Sequence, residues 1–349
     1  MKNFSTVEGG IDFSSRQLIW ILVSFGVFLL FSFIDFRFLK RTDVLVAVFI
    51  FTSLILLALF IIGHVAHGAK SWFNFGFFSF QPADIAKLVL VLILAKYFSR
   101  RHVEIGDIKH IFISGFYAMV PFTLVLLQPD FGSAMILGSI WLGMVLVSGI
   151  RKTHLLFVFT AGLLVFITMW FFVFAPYQKA RIMNFVNPLA DIHGTGYNAF
   201  QSTIAVGSGQ IFGKGLGFGT QSRLKFLPQP QSDFIFAAFS EEWGLIGSSI
   251  ILMLYILLIW RILYIATLGA SNFETLFGMG IAIFFMSHIV INIGMNLGIM
   301  PVTGIPLPFM SYGGSHLLTE FAALGILMSM KRYGRSTHRD DIQNEFLGV

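Results

Sequence analysis

Apolar runs long enough to cross a bilayer, separated by short polar turns, set the pattern of this chain. About 20 consecutive, mostly apolar residues suffice for one helical crossing. Runs of that size lie near 17–34, 43–63, 110–128, 131–149, 154–175, 235–263 and 274–298, and shorter ones at 83–98 and 315–330 draw on their flanks. The pattern predicts an all-α integral membrane protein, a polytopic helix bundle of about nine transmembrane helices. No internal repeat or low-complexity tract is evident, so residues 1–349 read as a single polytopic membrane domain. One long connection, residues 176–234, breaks the rhythm. It shows no clear element of its own, and a loop of that length is usually functional or disordered. Its apolar members, Phe200, Ile204, Ile211, Phe212 and Phe226, argue against disorder.

Composition agrees with the pattern. Apolar residues make up 56% of the chain and charged residues 11%, against roughly a quarter charged in a soluble domain. The chain has no cysteine, which excludes disulfides, thiolate catalysis and Cys-ligated metals. A net charge of +6 could point to nucleic acid, but its distribution points to membrane orientation instead. Basic residues follow alternate helices: Arg37, Lys40 and Arg41; Arg100, Arg101 and Lys109; Arg151 and Lys152; Arg261; then Lys331, Arg332, Arg335 and Arg339. The opposite connections, 64–82, 129–130 and 299–314, carry only Lys70. The positive-inside rule then makes the tail cytoplasmic and the loop 176–234 extracytoplasmic, its own basic residues counting little because long loops translocate regardless of charge. The same rule places the N-terminus outside. Residues Met1 to Ser15 lack the apolar core of a signal peptide, so either a further helix precedes residue 1 or the protein has nine helices with its N-terminus outside.

Ionisable groups are costly inside a bilayer, so their positions matter. They gather at the outer helix ends and in the long loop. That loop holds Lys179, Arg181, Pro188, Asp191, Gln201 and Gln221, a glycine run from Gly207 to Gly219 enclosing Lys214, and Ser232-Asp233 at its end. The glycine run is not a Walker loop: Ser208 stands where the first glycine belongs, and Gly215 replaces the hydroxyl residue. It either makes tight turns or presents amides to an anion such as a diphosphate. Asp84 and Lys87, three apart at a helix start, share a face and can pair; Lys87 reads equally well as a substrate contact. Trp72 suits either an interfacial belt or a substrate. Asp130, in the turn Gln128-Pro129-Asp130, suits a helix cap. Asn292, then Pro301 to Ser315 with Pro306, Pro308 and Ser311, form an irregular rigid segment, tolerated at membrane depth only when buried or lining a cavity. The nine histidines make no metal constellation.

Taken in order, GAKSW, QPADIAK, QPDFG, NFVNPLADIHGTGYNAFQSTIAVGSG, GKGLGFGTQSRLKFLP, SDFIFAAFSEEWG and NIGMNLGIMPVTGIPLPFMSYGGS resemble the SEDS family (shape, elongation, division and sporulation) over nearly the whole chain. GTQSRL with FLP favours its rod-shape branch. The resemblance implies a ten-helix bundle and a peptidoglycan glycosyltransferase of the bacterial cytoplasmic membrane, active on its extracytoplasmic face. Such an enzyme polymerises lipid II for cell elongation and releases undecaprenyl diphosphate. It implies Asp233 as catalytic base and substrate contacts at Trp72, Lys87, Asp130, Arg181, Gln201, Lys214, Gln221, Glu242 and Ser311. Lys87, Arg181 and Lys214 are its candidate cations for the departing diphosphate. The implied partners are lipid II, the growing lipid-linked strand, a class B penicillin-binding protein and the elongation machinery, and not nucleic acid. No obligate cofactor is implied, a divalent cation staying open. Two positions depart from the family pattern: Ser71 stands where an arginine is usual, and Ala83-Asp84 where Ser-Glu is usual. Lys70 can replace that arginine as a point charge but not as a bidentate clamp.

Two other readings stay open on the residues alone: a flippase for lipid-linked precursors, which has no need of a carboxylate at Asp233, and a scaffold for another cell-wall enzyme. The orientation has a direct test. In intact cells Ala205→Cys is expected to react with a membrane-impermeant thiol reagent and Asp340→Cys to stay unreactive; the opposite pattern reverses the topology.

Overall fold

The computed structural model describes residues 13–66, 69–74, 79–100, 108–172, 174, 176–187, 196–224 and 226–347. Each predicted apolar run is a helix: α1 Phe13–Phe33, α2 Thr42–Ile62, α3 Pro82–Ser99, α4 Ile108–Leu127, α5 Phe131–Val147, α6 Lys152–Phe172, and, after the long connection, α10 Ile235–Thr267, α11 Asn272–Asn296 and α12 Gly314–Leu347. Among the described residues, α1, α2, α4, α6, α10 and α11 are long and apolar enough to cross a membrane. The chain is a multi-pass, all-α membrane bundle. Among the described residues, its one β excursion is a small antiparallel sheet between α2 and α3, ordered β1 (His64–Ala66), β2 (Ala69–Asn74), β3 (Ser79–Phe80).

The long connection differs from the expectation of a stretch without elements. It contains α7 Pro176–Val186, α8 Tyr197–Ser208 and the single turn α9 Thr220–Arg223. Segment 188–195, with Pro188 and Asp191, lies outside the described residues. Helix α8 escapes a reading by periodicity because it is short and buries only a narrow strip, Ser202 and Ala205. Ala205 packs fully buried with Leu227, Phe234, Ala237 and Ala238. It is therefore a poor thiol reporter, and the topology probe belongs at Gly207, where an added Cβ meets open space.

The chain packs as two compact units, with α10 and α11 contributing to both. The second unit comprises 17–149, 257–287 and 313–349. Its centre is α3, apolar on every side, with Val89 to Ala95 buried without interruption. A helix hydrophobic all round has to be enclosed, and α2, α4 and α5 enclose it. Small residues allow the close approaches. A Cβ at Gly280 of α11 would lie 2.5 Å from Val91 Cγ1 and 2.9 Å from Met144 Sδ, and one at Gly143 of α5 would lie 2.6 Å from Ile283 Cγ2. Packing through small residues drives helix association where lipid removes the hydrophobic incentive. At the basic end, Lys40 pairs with buried Glu274 at 2.7 Å.

The first unit comprises 1–16, 150–256 and 288–312. It contains α6, whose Phe171 and Phe172 are exposed apolar surface suited to lipid, and α7 to α9. It also holds the N-terminal part of α10, which breaks at Gly244 (φ 65°, ψ −161°).

The close contacts of α11 predict a steric penalty. Gly280→Ala is expected to destabilise the detergent-solubilised protein by about 1–3 kcal/mol, the range for overpacking a filled core. Gly26→Ala, where a Cβ meets nothing within 4 Å, is expected to leave the thermal transition in place. Equal transitions for the two variants would remove the packing argument.

Candidate functional site

In the first unit, the polar residues converge on the junction that precedes α10. Asp233 is half-buried there, followed by Phe234, which anchors the junction in the apolar cluster. Its backbone carbonyl accepts from two carboxamides of α11, Asn292 Nδ2 at 3.0 Å and Asn296 Nδ2 at 3.1 Å. Asn292 also donates to Ile305 O at 2.7 Å, and Asn296 Oδ1 accepts from Ala237 N and lies within reach of Ser202 Oγ on α8. Ser311 Oγ donates to Ser232 O and accepts from Leu307 N, both at 2.7 Å, and Tyr312 N donates to Gln231 O at 2.8 Å. Two irregular segments, 226–234 and 299–312, are thus laced together by side chains. Gly304, at φ 73°, faces the Asp233 carboxylate, and a Cβ there would sit 3.4 Å from Oδ2.

The break at Gly244 organises the rest of this group. Past it, Leu245 N and Ile246 N leave the helical ladder and donate to Gln210 O and Ile211 O. The carbonyls of Glu241 and Glu242, freed by the break, accept from Lys214 N and Gly215 N, each at 3.0 Å. The glycines of this run permit the contact: a side chain at Gly209 would collide with Ser240 O, and one at Gly213 with Glu242 O. The Lys214 and Gly215 amides are therefore committed to α10 and not presented to an anion. Glu241 is fully buried beneath the loop. Its carboxylate takes Lys214 Nζ at 2.9 Å, Thr220 Oγ1 at 3.1 Å, and the Gln221 and Ser222 amides at the start of α9 at 3.0 and 3.3 Å.

The second unit holds a separate polar group, buried between α3 and the start of α12. Lys87 Nζ lies 3.0 Å from Asp84 Oδ1, both side chains almost wholly enclosed. His316 stands between two carboxylates, Nδ1 at 3.4 Å from Asp84 Oδ1 and Nε2 at 2.9 Å from Glu320 Oε1. With a carboxylate beside each ring nitrogen, the charge-balanced form of this group is the one that carries His316 as the imidazolium. With that proton, the charges of Asp84, Lys87, His316 and Glu320 sum to zero. Gln81 extends the network, its amide to Ser315 Oγ at 3.1 Å and its side chain to Asp130 Oδ2 at 2.7 Å. Asp130 Oδ1 caps α5 through Ser133 N at 3.0 Å.

Of the residues singled out in the sequence, Arg181, Gln201, Lys214, Gln221, Asp233, Glu242 and Ser311 fall in the first unit, and Trp72, Asp84, Lys87 and Asp130 in the second. Arg181 is exposed on α7, and Trp72 is half-buried on β2. Lys87 and Lys214 are engaged in ion pairs. Gln201 Oε1 and Gln221 Oε1 are buried with no hydrogen-bond partner among the described residues. Glu241, Asn296, His316 and Glu320 were not legible as site residues. Their one local signal was polar pairs four apart in apolar runs, Asn292/Asn296 and His316/Glu320, which place both members on one helix face.

The FTSW_RODA_SPOVE cell cycle protein family model matches residues 1–336. The chain is 37% identical over 328 residues to stage V sporulation protein E of Bacillus subtilis, covering 93% of this chain and 88% of that protein. It is 39% identical over 292 residues to the peptidoglycan glycosyltransferase MrdB of Escherichia coli, covering 83% and 77%. Among solved structures, it superposes on a chain of a peptidoglycan synthase complex that coordinates polymerization and crosslinking, with TM-score 0.80, 28% identity and coverage of 95% and 93%. It superposes on the rod shape determining protein RodA of Thermus thermophilus with TM-score 0.67, 27% identity and coverage of 91% and 87%.

The buried four-charge group makes a prediction of its own. His316→Asn and Glu320→Gln each leave a net charge in an apolar bundle, and breaking a buried pair costs roughly 3–5 kcal/mol. The double variant restores neutrality and is expected to unfold nearer the wild-type temperature than either single change. A double variant as unstable as the sum of the singles would show that charge balance does not govern the site.

Proposed function

The chain belongs to the FTSW_RODA_SPOVE family of cell cycle proteins, and from that membership we propose how it works as a peptidoglycan glycosyltransferase. It polymerises lipid II into glycan strands for cell elongation. The 4-hydroxyl of one GlcNAc attacks the anomeric carbon of the lipid-linked strand. A C–O bond forms there with inversion, the bond to the diphosphate breaks, and undecaprenyl diphosphate leaves. Asp233 takes the hydroxyl proton.

One observation carries this assignment. The backbone of Asp233 is pinned by two carboxamides from α11, while the residue is only half-buried and its carboxylate faces a glycine, Gly304, in place of a larger side chain. A general base has to be held in place and yet reach a substrate proton. Arg181, exposed on α7 of the same unit as Asp233, is the cation we assign to the leaving diphosphate. The unpartnered amide oxygens of Gln201 and Gln221 suit sugar hydroxyls as donors.

In this reading α1 to α6 and α10 to α12 are nine crossings of a family architecture of ten, and the segment 176–234 faces the extracytoplasmic side. The partner is a single-pass class B penicillin-binding protein, since a strand once made needs crosslinking and this chain has no serine-lysine acyl-transfer signature.

The test separates base from cap. Asp233→Asn keeps the carbonyl that Asn292 and Asn296 hold, so it is expected to fold normally. It should lose about 10²–10⁴ in lipid II polymerisation, the usual contribution of general base catalysis. Ser232→Ala alters the same turn and is expected to cost far less. Near wild-type glycan synthesis by Asp233→Asn would remove Asp233 from the mechanism.

A further inference from the structure

The glycine-rich loop carries an apolar surface that the polymerase chemistry does not use. Ile211, Phe212, Leu216 and Phe218 are 56%, 81%, 62% and 67% exposed, four large hydrophobic side chains within eight residues. A free loop in water would not hold them out, because exposed contiguous apolar surface marks a contact. Their position says with what. The loop is hydrogen-bonded into the break of α10, Gln210 O and Ile211 O against Leu245 N and Ile246 N. At that level and beyond, α10 exposes Leu245, Ile246, Ile250, Met253 and Leu254, the lipid-facing side of a membrane-spanning helix.

Irregular backbone is excluded from hydrocarbon unless protein satisfies its polar groups. Here protein supplies several of those partners. Gly213 N donates to Gly209 O, Lys214 N and Gly215 N to the freed carbonyls of α10, and Phe218 N to Gly215 O. The one charge of this stretch, Lys214, is turned onto Glu241 and Thr220.

We infer that residues 211–218 form a re-entrant loop seated in the bilayer, with Phe212, Leu216 and Phe218 among phospholipid acyl chains, extending the lipid-facing side of α10. The loop supplies the groups freed by the break at Gly244 with partners and presents an apolar tip. This assignment is independent of the catalytic role of Asp233.

The absence of cysteine makes the test direct. Nitroxide labels are placed singly at Phe212→Cys and Phe218→Cys in otherwise unaltered protein, reconstituted alone into phosphatidylcholine–phosphatidylglycerol vesicles. Leu254→Cys on α10 is the acyl-chain reference and Arg41→Cys, exposed at a basic helix end, the aqueous one. Power saturation reads accessibility to oxygen, which partitions into the bilayer, against a water-soluble nickel chelate. Labels at 212 and 218 are expected to shift with Leu254, oxygen exceeding nickel. Nickel accessibility equal to that at Arg41 would overturn the inference. Protection from both reagents would overturn it too, giving the face to a second copy of this chain.

Discussion

A backbone amide or carbonyl buried away from water must find its partner within the protein, and in the first unit that one constraint explains most of the irregular structure. Helix α10 breaks at Gly244, which strands two donors and two acceptors. The loop 210–215 supplies their partners, and glycine is needed along it because any side chain at 209 or 213 would collide with α10. The same constraint acts at the other end of the unit. Segments 226–234 and 299–312 are not helical, so their carbonyls look to Asn292, Asn296 and Ser311. Asparagine in an apolar helix is costly unless it is bonded; here its carboxamide is what lets the chain depart from helix beside Asp233.

In the second unit the governing demand is electrical. Four ionisable side chains are enclosed between α3 and α12, and such enclosure is tolerable only when charges cancel and donors match acceptors. His316 bridges the two carboxylates, and Asp84 passes the connection to Lys87. Pro82 at the first turn of α3 and the Asp130 cap on α5 fix the adjoining helix starts by local means. The polar network and the helix ends are thus one construction, joined through Gln81.

The bundle was legible in the sequence because a run of twenty apolar residues is a strong and local signal. Each such run became a helix with its ends displaced by only a few residues, save α12, whose polar continuation extends to Leu347. The break in α10 was not legible, since a glycine inside an apolar run reads equally as a tolerated helical residue. Helices α7 and α8 were missed because neither has the length over which a helical period stands out. The site was legible in part. The pairing of Asp84 with Lys87 follows from spacing, while the base assigned at Asp233 is an expectation from the family resemblance. What Lys214 does could not be read, because its partner Glu241 lies 27 residues further on. The carboxamides that hold Asp233 lie 59 and 63 residues away. Contacts of that range are set by tertiary packing, to which local pattern is blind.

Those long separations order events during synthesis. When Asp233 leaves the ribosome, the carboxamides that hold its carbonyl are still unmade: Asn292 and Asn296 come with the end of α11, and Ser311, which holds the carbonyl of Ser232, later still. The junction before α10 therefore acquires these hydrogen bonds only once the chain has been read almost to α12. A nascent chain stalled before residue 292 carries Asp233 without the two carboxamides that hold its backbone carbonyl.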